Sequence, residues 1–230
     1  MKELFEGSVF FGVLLSLVSY YVGIWLKRKT GWALMNPLLV SVVLVIAVLA
    51  LTGTDYGEYM KGADIISYLL TPATICLAVP LYQQFELLKK NWKAVIAGIV
   101  SGVLSSILSI LAFALLFHFD HASYATFLPK SITTAIGIGV SEELGGYVAV
   151  TVVVIIITGV IGNIFAEKFL KLLRITEPVA KGIAIGSSSH AIGTTKAMEM
   201  GAVEGAMSSL SIVVSGILTV VAASLFSGLI

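Results

Sequence analysis

Two polar stretches contain the residues of this chain that could do chemistry. Residues 186–201, GSSSHAIGTTKAMEMG, hold three consecutive serines, a histidine, two threonines and a lysine. Residues 130–146, KSITTAIGIGVSEELGG, combine hydroxyl side chains with a lysine and two glutamates. Both stretches lie between long apolar segments, where lipid offers polar groups no partner. Ionisable residues in such positions indicate a functional site. We therefore predict that the two stretches are broken half-helices that line a polar cavity.

The chemistry that these residues favour is the binding of a small hydroxy- or keto-carboxylate. The N-terminal end of a half-helix exposes unpaired N–H groups and a positive dipole end, which suits an anion. Lys196 would add a positive charge, and Lys130 could add another near the outer mouth. The predicted substrate-binding residues are Ser131, Thr133, Thr134, Ser187, Ser188, Ser189, His190, Thr194, Thr195 and Lys196.

Coupling to protons or cations is predicted for three ionisable residues. His190 could titrate near neutral pH, and Glu142 and Glu143 are the remaining candidates. Structural roles are the alternative in each case. Lysines such as Lys196 and Lys130 can extend to the membrane interface, and small hydroxyl residues let membrane helices approach each other. A lone histidine or glutamate can also simply be packed and paired inside the bundle.

Catalytic and metal-binding motifs do not occur in the sequence. There is no GxSxG nucleophile elbow, HExxH metal pair, P-loop or GxGxxG fingerprint. Serine and histidine are neighbours in 187–190, but adjacency in sequence does not make a catalytic dyad. The single cysteine, Cys76, excludes an intramolecular disulfide, and we expect it to be a small buried residue. We predict no enzyme activity, no catalytic residue, no metal and no cofactor.

The composition is that of a membrane protein. Of the 230 residues, 58% are hydrophobic and 12% are charged, and the mean hydropathy is +1.03. A soluble domain carries about 25% charged residues. Several apolar runs approach the roughly 18–20 residues that cross a hydrocarbon core of ~30 Å. The net charge of +1 gives no indication of nucleic-acid binding. The predicted fold class is an all-α polytopic membrane protein.

Six full transmembrane spans and two re-entrant segments are predicted. Prolines at 72 and 80 predict that the third span is kinked or broken. Basic residues follow the first, third and fifth spans, which predicts cytoplasmic loops there and an N-terminus outside. Only one full crossing fits between residues 121 and 174, so 130–146 should enter from outside and 186–201 from inside. The predicted spans are 9–26, 34–52, 65–85, 94–117, 147–166 and 205–226.

A weak internal repeat runs through the sequence. Triplets of a hydroxyl residue, glycine and a branched residue begin at positions 101, 158 and 215, so each step is 57 residues. Glutamates at 86, 143 and 199 follow nearly the same period. An odd number of crossings per unit would give the last two units opposite orientations, as in the inverted repeats of secondary transporters. We predict one integral membrane domain, 1–230, with two N-terminal spans in 1–64 and repeat units at 65–127, 128–184 and 185–230.

The two polar stretches together resemble the LrgB/CidB family of bacterial membrane proteins. EGAMSSLS at 204–211 adds to this resemblance, which covers the chain well from about residue 129 to residue 226. The resemblance implies two functions. One is holin/antiholin-like control of murein hydrolase export and autolysis, together with a small LrgA-type membrane partner. The other is transport of small carboxylates, such as pyruvate in bacterial relatives or glycolate and glycerate in a similar plastid protein.

The residues favour transport, because a lesion-forming holin has little need of two polar re-entrant motifs. We therefore predict a facilitator or proton-coupled carrier of small monocarboxylates, in the bacterial plasma membrane and surrounded by membrane lipid. The expected partners are the carboxylate substrate, an LrgA-type subunit and further copies of the chain in a homo-oligomer. No nucleic acid is expected. The alternative function is the holin-like regulator.

Overall fold

The computed structural model describes residues 9–32, 35–76 and 78–230. No strand occurs in these ranges, and the prediction of an all-α polytopic membrane protein is confirmed. Residues 34 and 77, within the predicted second and third spans, lie outside the described residues, as does the N-terminus before residue 9. The helices are α1 (Val9–Thr30), α2 (Pro37–Thr52), α3 (Tyr56–Tyr68), α4 (Leu70–Cys76), α5 (Ala78–Gln83), α6 (Phe85–Phe117), α7 (His121–Phe127), α8 (Thr134–Glu143), α9 (Val148–Leu172), α10 (Pro178–Met200) and α11 (Ala202–Phe226).

Within the described ranges, four helices are long and apolar enough to cross a membrane, namely α1, α6, α9 and α11. The apolar helix α2 is shorter, with 16 residues. Within the described residues, the predicted third span, 65–85, is interrupted at Leu69 and again at Gln84, both of which lie outside the helices. Proline is tolerated in the first turn of a helix but not in its interior, and Pro72 is the third residue of the helix that begins at Leu70, after the turn at Leu69. The predicted break of this span is therefore observed.

The described helices fall into two compact units, one up to Cys76 and one after it. In the first unit, α1 packs against α2 and α3. A Cβ added to Gly12 would lie 2.6 Å from the backbone nitrogen of Ala63, so α1 and α3 approach closely only because position 12 is glycine. The side chain of Asn36 caps α2 by accepting a hydrogen bond from the amide of Leu38 at 2.9 Å. Cys76 is exposed, and the expectation that it is buried was wrong.

In the second unit, residues 121–143 form a hairpin, called the first hairpin. Its two ends meet, because the ring Nε2 of His121 lies 3.0 Å from the carbonyl oxygen of Leu144. The return helix α8 runs antiparallel to α9. Ser141 contacts Thr151 through hydroxyl oxygens 2.7 Å apart, and the earlier Gly137 lies against the later residue 155. The first hairpin thus enters and leaves at one end of the unit.

Helix α10 is also a hairpin, called the second hairpin, and it reverses at His190. That residue has φ 41° and ψ −141°, which is not helical. The first arm, 178–189, runs parallel to α11, since residue 182 packs on residue 204 and residue 186 packs on Ser208. The second arm, 191–200, runs back along α11, so that Thr194 and Ser208 share a hydrogen bond of 2.7 Å.

The two hairpins enter the second unit from opposite ends. The first begins and ends near the C-terminal residues, since the Nδ1 atom of His121 is 2.8 Å from the carbonyl oxygen of Ile230. The second begins and ends at the other end of α11, where the Nζ atom of Lys181 lies 3.9 Å from a carboxylate oxygen of Glu204. Helices α9 and α11 run in opposite directions between these ends. Entry from opposite ends was predicted for the two re-entrant segments, but the predicted bounds, 130–146 and 186–201, cover mainly the tip and the return arm of each hairpin.

Reciprocal contacts relate the two hairpins as inverted repeats. A Cβ on Gly159 of α9 would lie 2.9 Å from the Cβ of Ile192, in the second hairpin. A Cβ on Gly216 of α11 would lie 2.8 Å from the Cδ1 of Ile136, in the first hairpin. The two glycines are 57 residues apart and the two isoleucines 56, and each isoleucine is the centre of an Ala-Ile-Gly tripeptide. In each repeat, the glycine of the long helix therefore packs against the equivalent isoleucine in the hairpin of the other repeat. The single membrane domain and the repeat boundaries stay predictions.

Candidate functional site

A cavity of about 1130 Å³ lies in the second unit between α6, the first arm of the second hairpin and the tip of the first hairpin. We call it the serine cavity. Leu173 and Glu177 line one of its ends, and small residues of α6 and α10 line its length. Its polar lining residues are Asn91, Ser101, Ser105, Ser106, Ser109, Lys130, Ser131, Glu177, Ser187 and Ser188.

The tip of the first hairpin contributes a lysine and a serine to this cavity. The Nζ atom of Lys130 donates a hydrogen bond to the hydroxyl oxygen of Ser131 at 2.9 Å. That hydroxyl is also 3.0 Å from the hydroxyl of Ser106 on α6. Ser131 is buried and Lys130 is half-buried. Lys130 forms no ion pair with any carboxylate of the described chain. Its amino group is therefore available to an anion that enters the cavity.

The second hairpin contributes Ser187 and Ser188 to the lining. Their hydroxyls donate to the carbonyl oxygens of Ile183 and Ala184, each at 2.7 Å. Lone pairs remain on the two serine oxygens, so both side chains can still accept a hydrogen bond. A Cβ on Gly102 would lie only 2.8 Å from the Oγ of Ser187. Glycine at position 102 thus lets α6 and the second hairpin pack closely beside the cavity.

The serines of α6 are lining residues that were not predicted from the sequence. Asn91, Ser101, Ser105 and Ser109 all line the cavity from α6, which is apolar after residue 93 except for its serines. The three serines follow each other at intervals of four residues, which places them on one helix face. A polar face on a membrane helix indicates a cavity or a partner helix instead of lipid. This periodicity was the signal that could have identified α6.

Five predicted binding residues lie deeper in the hairpins and are not among the described residues that line the serine cavity. Two of them start α8, and three surround the reversal of the second hairpin. The ring Nε2 of His190 is 3.0 Å from the carbonyl oxygen of Ile155, and the ring packs on Gly159. These interactions hold the strained reversal in place. The five residues are Thr133 and Thr134, at the N-terminus of α8, and Ser189, His190 and Thr194, the last three of which are buried.

Lys196 and Thr195 lie at the other end of the second hairpin's second arm. The Nζ atom of Lys196 is 3.4 Å from Glu167 and 3.2 Å from Glu199. These three side chains line a separate, charged cavity of about 680 Å³. Thr195 is exposed and accepts a hydrogen bond of 2.8 Å from the side chain of Asn163. Lys196 therefore has carboxylate partners already, whereas Lys130 has none within the described ranges.

Glu142 and Glu143 end α8 and are both exposed. They lie at the end of the first hairpin that is closed by His121 and Leu144, away from the tip that carries Lys130. Among the described lining residues of the serine cavity, none is a predicted coupling residue. The described residues also contain no group of three histidine, cysteine or acidic side chains that could hold a metal ion.

Comparison with known proteins identifies the family. The family model described as the LrgB-like family matches residues 16–229, which is nearly the whole chain. The resemblance seen in residues 130–146 and 186–201 is thereby confirmed, and it extends well beyond the C-terminal half. No solved structure matches the chain.

Proposed function

We propose a transport function for this chain, which belongs to the LrgB-like family of membrane proteins. It carries small monocarboxylates, such as pyruvate or glycolate, across the bacterial plasma membrane and is not an enzyme. The observation that supports this proposal is the serine cavity, in which the described part of the chain combines a lysine without a carboxylate partner with many serine hydroxyls. An LrgA-type partner and a homo-oligomeric state stay predictions.

The charge of the cavity favours an anion with a single carboxylate. Among the described lining residues, Lys130 can carry a positive charge and the exposed Glu177 a negative one. An ammonium group that is removed from water needs a partner, because desolvation of a charge is costly. A bound carboxylate supplies that partner. Hydrogen bonds that involve a charged group contribute about 1.5–3 kcal/mol each, which is enough to select an anion over a neutral molecule of similar shape.

The hydroxyls of the cavity explain a preference for hydroxy- and keto-carboxylates. In the Ser106–Ser131 pair one hydroxyl donates to the other, which leaves the second proton free to bind a carboxylate oxygen. The oxygens of Ser187 and Ser188 can accept a hydrogen bond from a substrate hydroxyl. Because hydroxyls can also donate, a keto oxygen can be bound through a rotated serine or a water molecule.

The hairpins supply the arrangement that a carrier needs. In transporters with inverted repeats, substrate sites are typically formed by discontinuous helices that enter the membrane from opposite sides. Here the tip of the first hairpin and the first arm of the second hairpin both line the serine cavity. The cavity extends toward Glu177 and Pro178, at the end of the unit where the second hairpin begins. The basic residues near this end predict that it is cytoplasmic.

Substrate protection of a cysteine placed in the cavity tests the site. The chain has one cysteine, so Cys76→Ser gives a background without thiols. In that background, Ser109→Cys should react with a small charged methanethiosulfonate, and millimolar pyruvate should slow the reaction. Thr176→Cys is the matched control, because Thr176 is exposed and lines the second cavity instead of the serine cavity. Equal protection of both cysteines, or of neither, would contradict the proposed site.

A further inference from the structure

The ionisable groups that line the serine cavity, among the described residues, are Lys130 and Glu177. Glu177 is exposed and precedes the first residue of α10, at the opposite end of the cavity from the first hairpin's tip. On the described lining, α6 contributes Ser109 and Ser106, which is hydrogen bonded to Ser131 beside Lys130, and the second hairpin contributes Ser187. Neither of these two fully described elements places a carboxylate or a second cation there. The electrostatics at this end of the cavity therefore depend on Lys130 and on whatever molecule binds beside it.

The predicted coupling residues and Lys196 are not among the described residues that line the cavity. The imidazole of His190 is 2% exposed and is engaged with the carbonyl oxygen of Ile155. Glu142 and Glu143 are exposed at the far end of α8. Lys196 is paired with two glutamates in the second cavity. A proton that moves together with the substrate is thus best held by the group that touches the substrate.

We propose that Lys130 is the coupling residue of the carrier and that one proton accompanies each monocarboxylate. This inference rests on the proposed transport function. In the empty carrier the Lys130 side chain is a neutral amine, because an ammonium group without a counter-ion is costly inside a membrane. A proton from water converts the amine to ammonium, which pairs with the arriving carboxylate. On the other side the carboxylate leaves and the ammonium returns its proton to water.

The balance of this cycle makes transport electroneutral. The empty cavity holds a neutral amine, and the loaded cavity holds an ammonium–carboxylate pair of zero net charge. No covalent bond to the substrate forms or breaks, and each cycle moves one proton and one anion in the same direction. The carboxylate without the proton would leave a buried negative charge, and the proton without the carboxylate would leave a buried positive charge. Both partly loaded forms are disfavoured, so the two movements are coupled.

Lys130→Arg separates substrate binding from proton release. Arginine keeps the positive charge but does not lose its proton in proteins. Purified Lys130→Arg in proteoliposomes should still exchange external for internal pyruvate, because exchange uses only the loaded form. Its net pyruvate uptake should fall at least about tenfold, since the empty carrier stays charged and an unpaired buried charge is costly. Pyruvate uptake by the wild type should acidify the lumen by one proton per pyruvate. A membrane potential set by a K⁺ gradient and valinomycin should not change the rate of this uptake.

The controls distinguish this inference from the proposed function. Lys93→Arg makes the same change on α6 outside the cavity, where the ammonium lies over the ring of Trp92, and it should match the wild type. Pyruvate uptake by the wild type that is driven by voltage without proton movement would overturn the coupling role and leave the carrier function intact. So would Lys130→Arg with normal net uptake, or loss of proton movement in His190→Gln with normal exchange. Absence of any saturable uptake would instead contradict the proposed function.

Discussion

Gly186→Ala should destabilise the protein, because the second hairpin and α11 touch at this position. A Cβ on Gly186 would lie 2.8 Å from both the Cα of Ser208 and the Cβ of Ser211. Carbon atoms pack best at about 3.5–4.0 Å, and the Cα of Ser208 belongs to a backbone that cannot rotate away. Overpacking of this kind costs about 1–3 kcal/mol, and the better helix propensity of alanine offsets at most about 1 kcal/mol of it.

Gly139→Ala is the matched control for this change. Gly139 lies within α8, and an added Cβ would meet no atom within 4 Å in the described structure. The substitution should therefore keep only the gain in helix propensity, up to about 1 kcal/mol. Because both variants share this gain, they should differ by the overpacking of about 1–3 kcal/mol. That difference corresponds to roughly 2–12 °C in Tm for a chain of this length.

The assay for this pair is thermal unfolding in detergent, followed by circular dichroism or light scattering. The wild type gives the reference Tm. The Tm of Gly186→Ala should be lower than the Tm of Gly139→Ala, and both variants should be helical before heating. Equal Tm values for the two variants would refute the parallel packing of the first arm on α11.

Three further predictions concern the remaining polar groups. His190 has a positive φ that favours glycine. His190→Gly should therefore have a free energy of unfolding about 1–3 kcal/mol higher than His190→Ala, and a higher Tm, because glycine relieves the backbone strain. Lys196→Met should leave the pyruvate concentration for half-maximal uptake unchanged, since Lys196 pairs with glutamates outside the serine cavity. An increase of about tenfold in that concentration, as expected for a lost charged contact, would show that Lys196 contacts the substrate. Hydrogen bonds from the side chain and backbone of Ser123 lower the pKa of Asp120. This cap on α7 therefore stabilises the fold at neutral pH and is lost as the pH falls below about 4, so the Tm advantage of the wild type over Asp120→Ala should disappear in acid.

Much of the fold could be predicted because apolar length and charge are properties of the sequence alone. The runs in α6, α9 and α11 are long enough to cross a membrane, and the basic residues between them constrain the count of crossings. That count required the stretches 130–146 and 186–201 to be re-entrant, and the structure has a hairpin at each. The predicted repeat agrees with the packing, since Gly159 and Gly216 each contact an isoleucine at the equivalent position of a hairpin. The boundaries were less accurate: α6 starts at Phe85, whereas the predicted span starts at 94.

The site was harder to predict because it depends on which side of each hairpin faces α6. Ser131 and Ser187, which are 56 residues apart, both line the serine cavity. Thr194 has the same chemistry, but its hydroxyl is hydrogen bonded to Ser208 between α10 and α11. Composition cannot separate such cases, because a hydroxyl that holds two helices together and one that faces a cavity are the same residue type. The helical periodicity of the α6 serines could have identified that helix as one wall of a cavity, but not which hydroxyls of the hairpins face it.

The roles of the two lysines illustrate the same limit. Lys196 lies in the more polar stretch, which made it the stronger candidate from sequence. The structure brings Glu167 of α9 and Glu199 within ion-pair distance of Lys196. Lys130 has a serine as its partner, in the cavity. The pair with Glu199, three residues along the same helix, is visible in the sequence, but the pair with Glu167 forms only in the folded chain. The sequence alone therefore did not show which lysine is left for a substrate.

The most direct test of the proposed transport is uptake of radiolabelled pyruvate, lactate and glycolate into proteoliposomes that contain this chain, alone and together with a small LrgA-type partner. A carrier should show uptake that saturates with concentration, is blocked by unlabelled substrate and is reduced at least about tenfold by Lys130→Gln, as expected for the loss of a charged partner. Protein-free liposomes and Lys93→Arg are the controls. Release of an enclosed neutral dye without saturation or substrate preference, and no saturable uptake in either preparation, would contradict transport and favour the holin-like function.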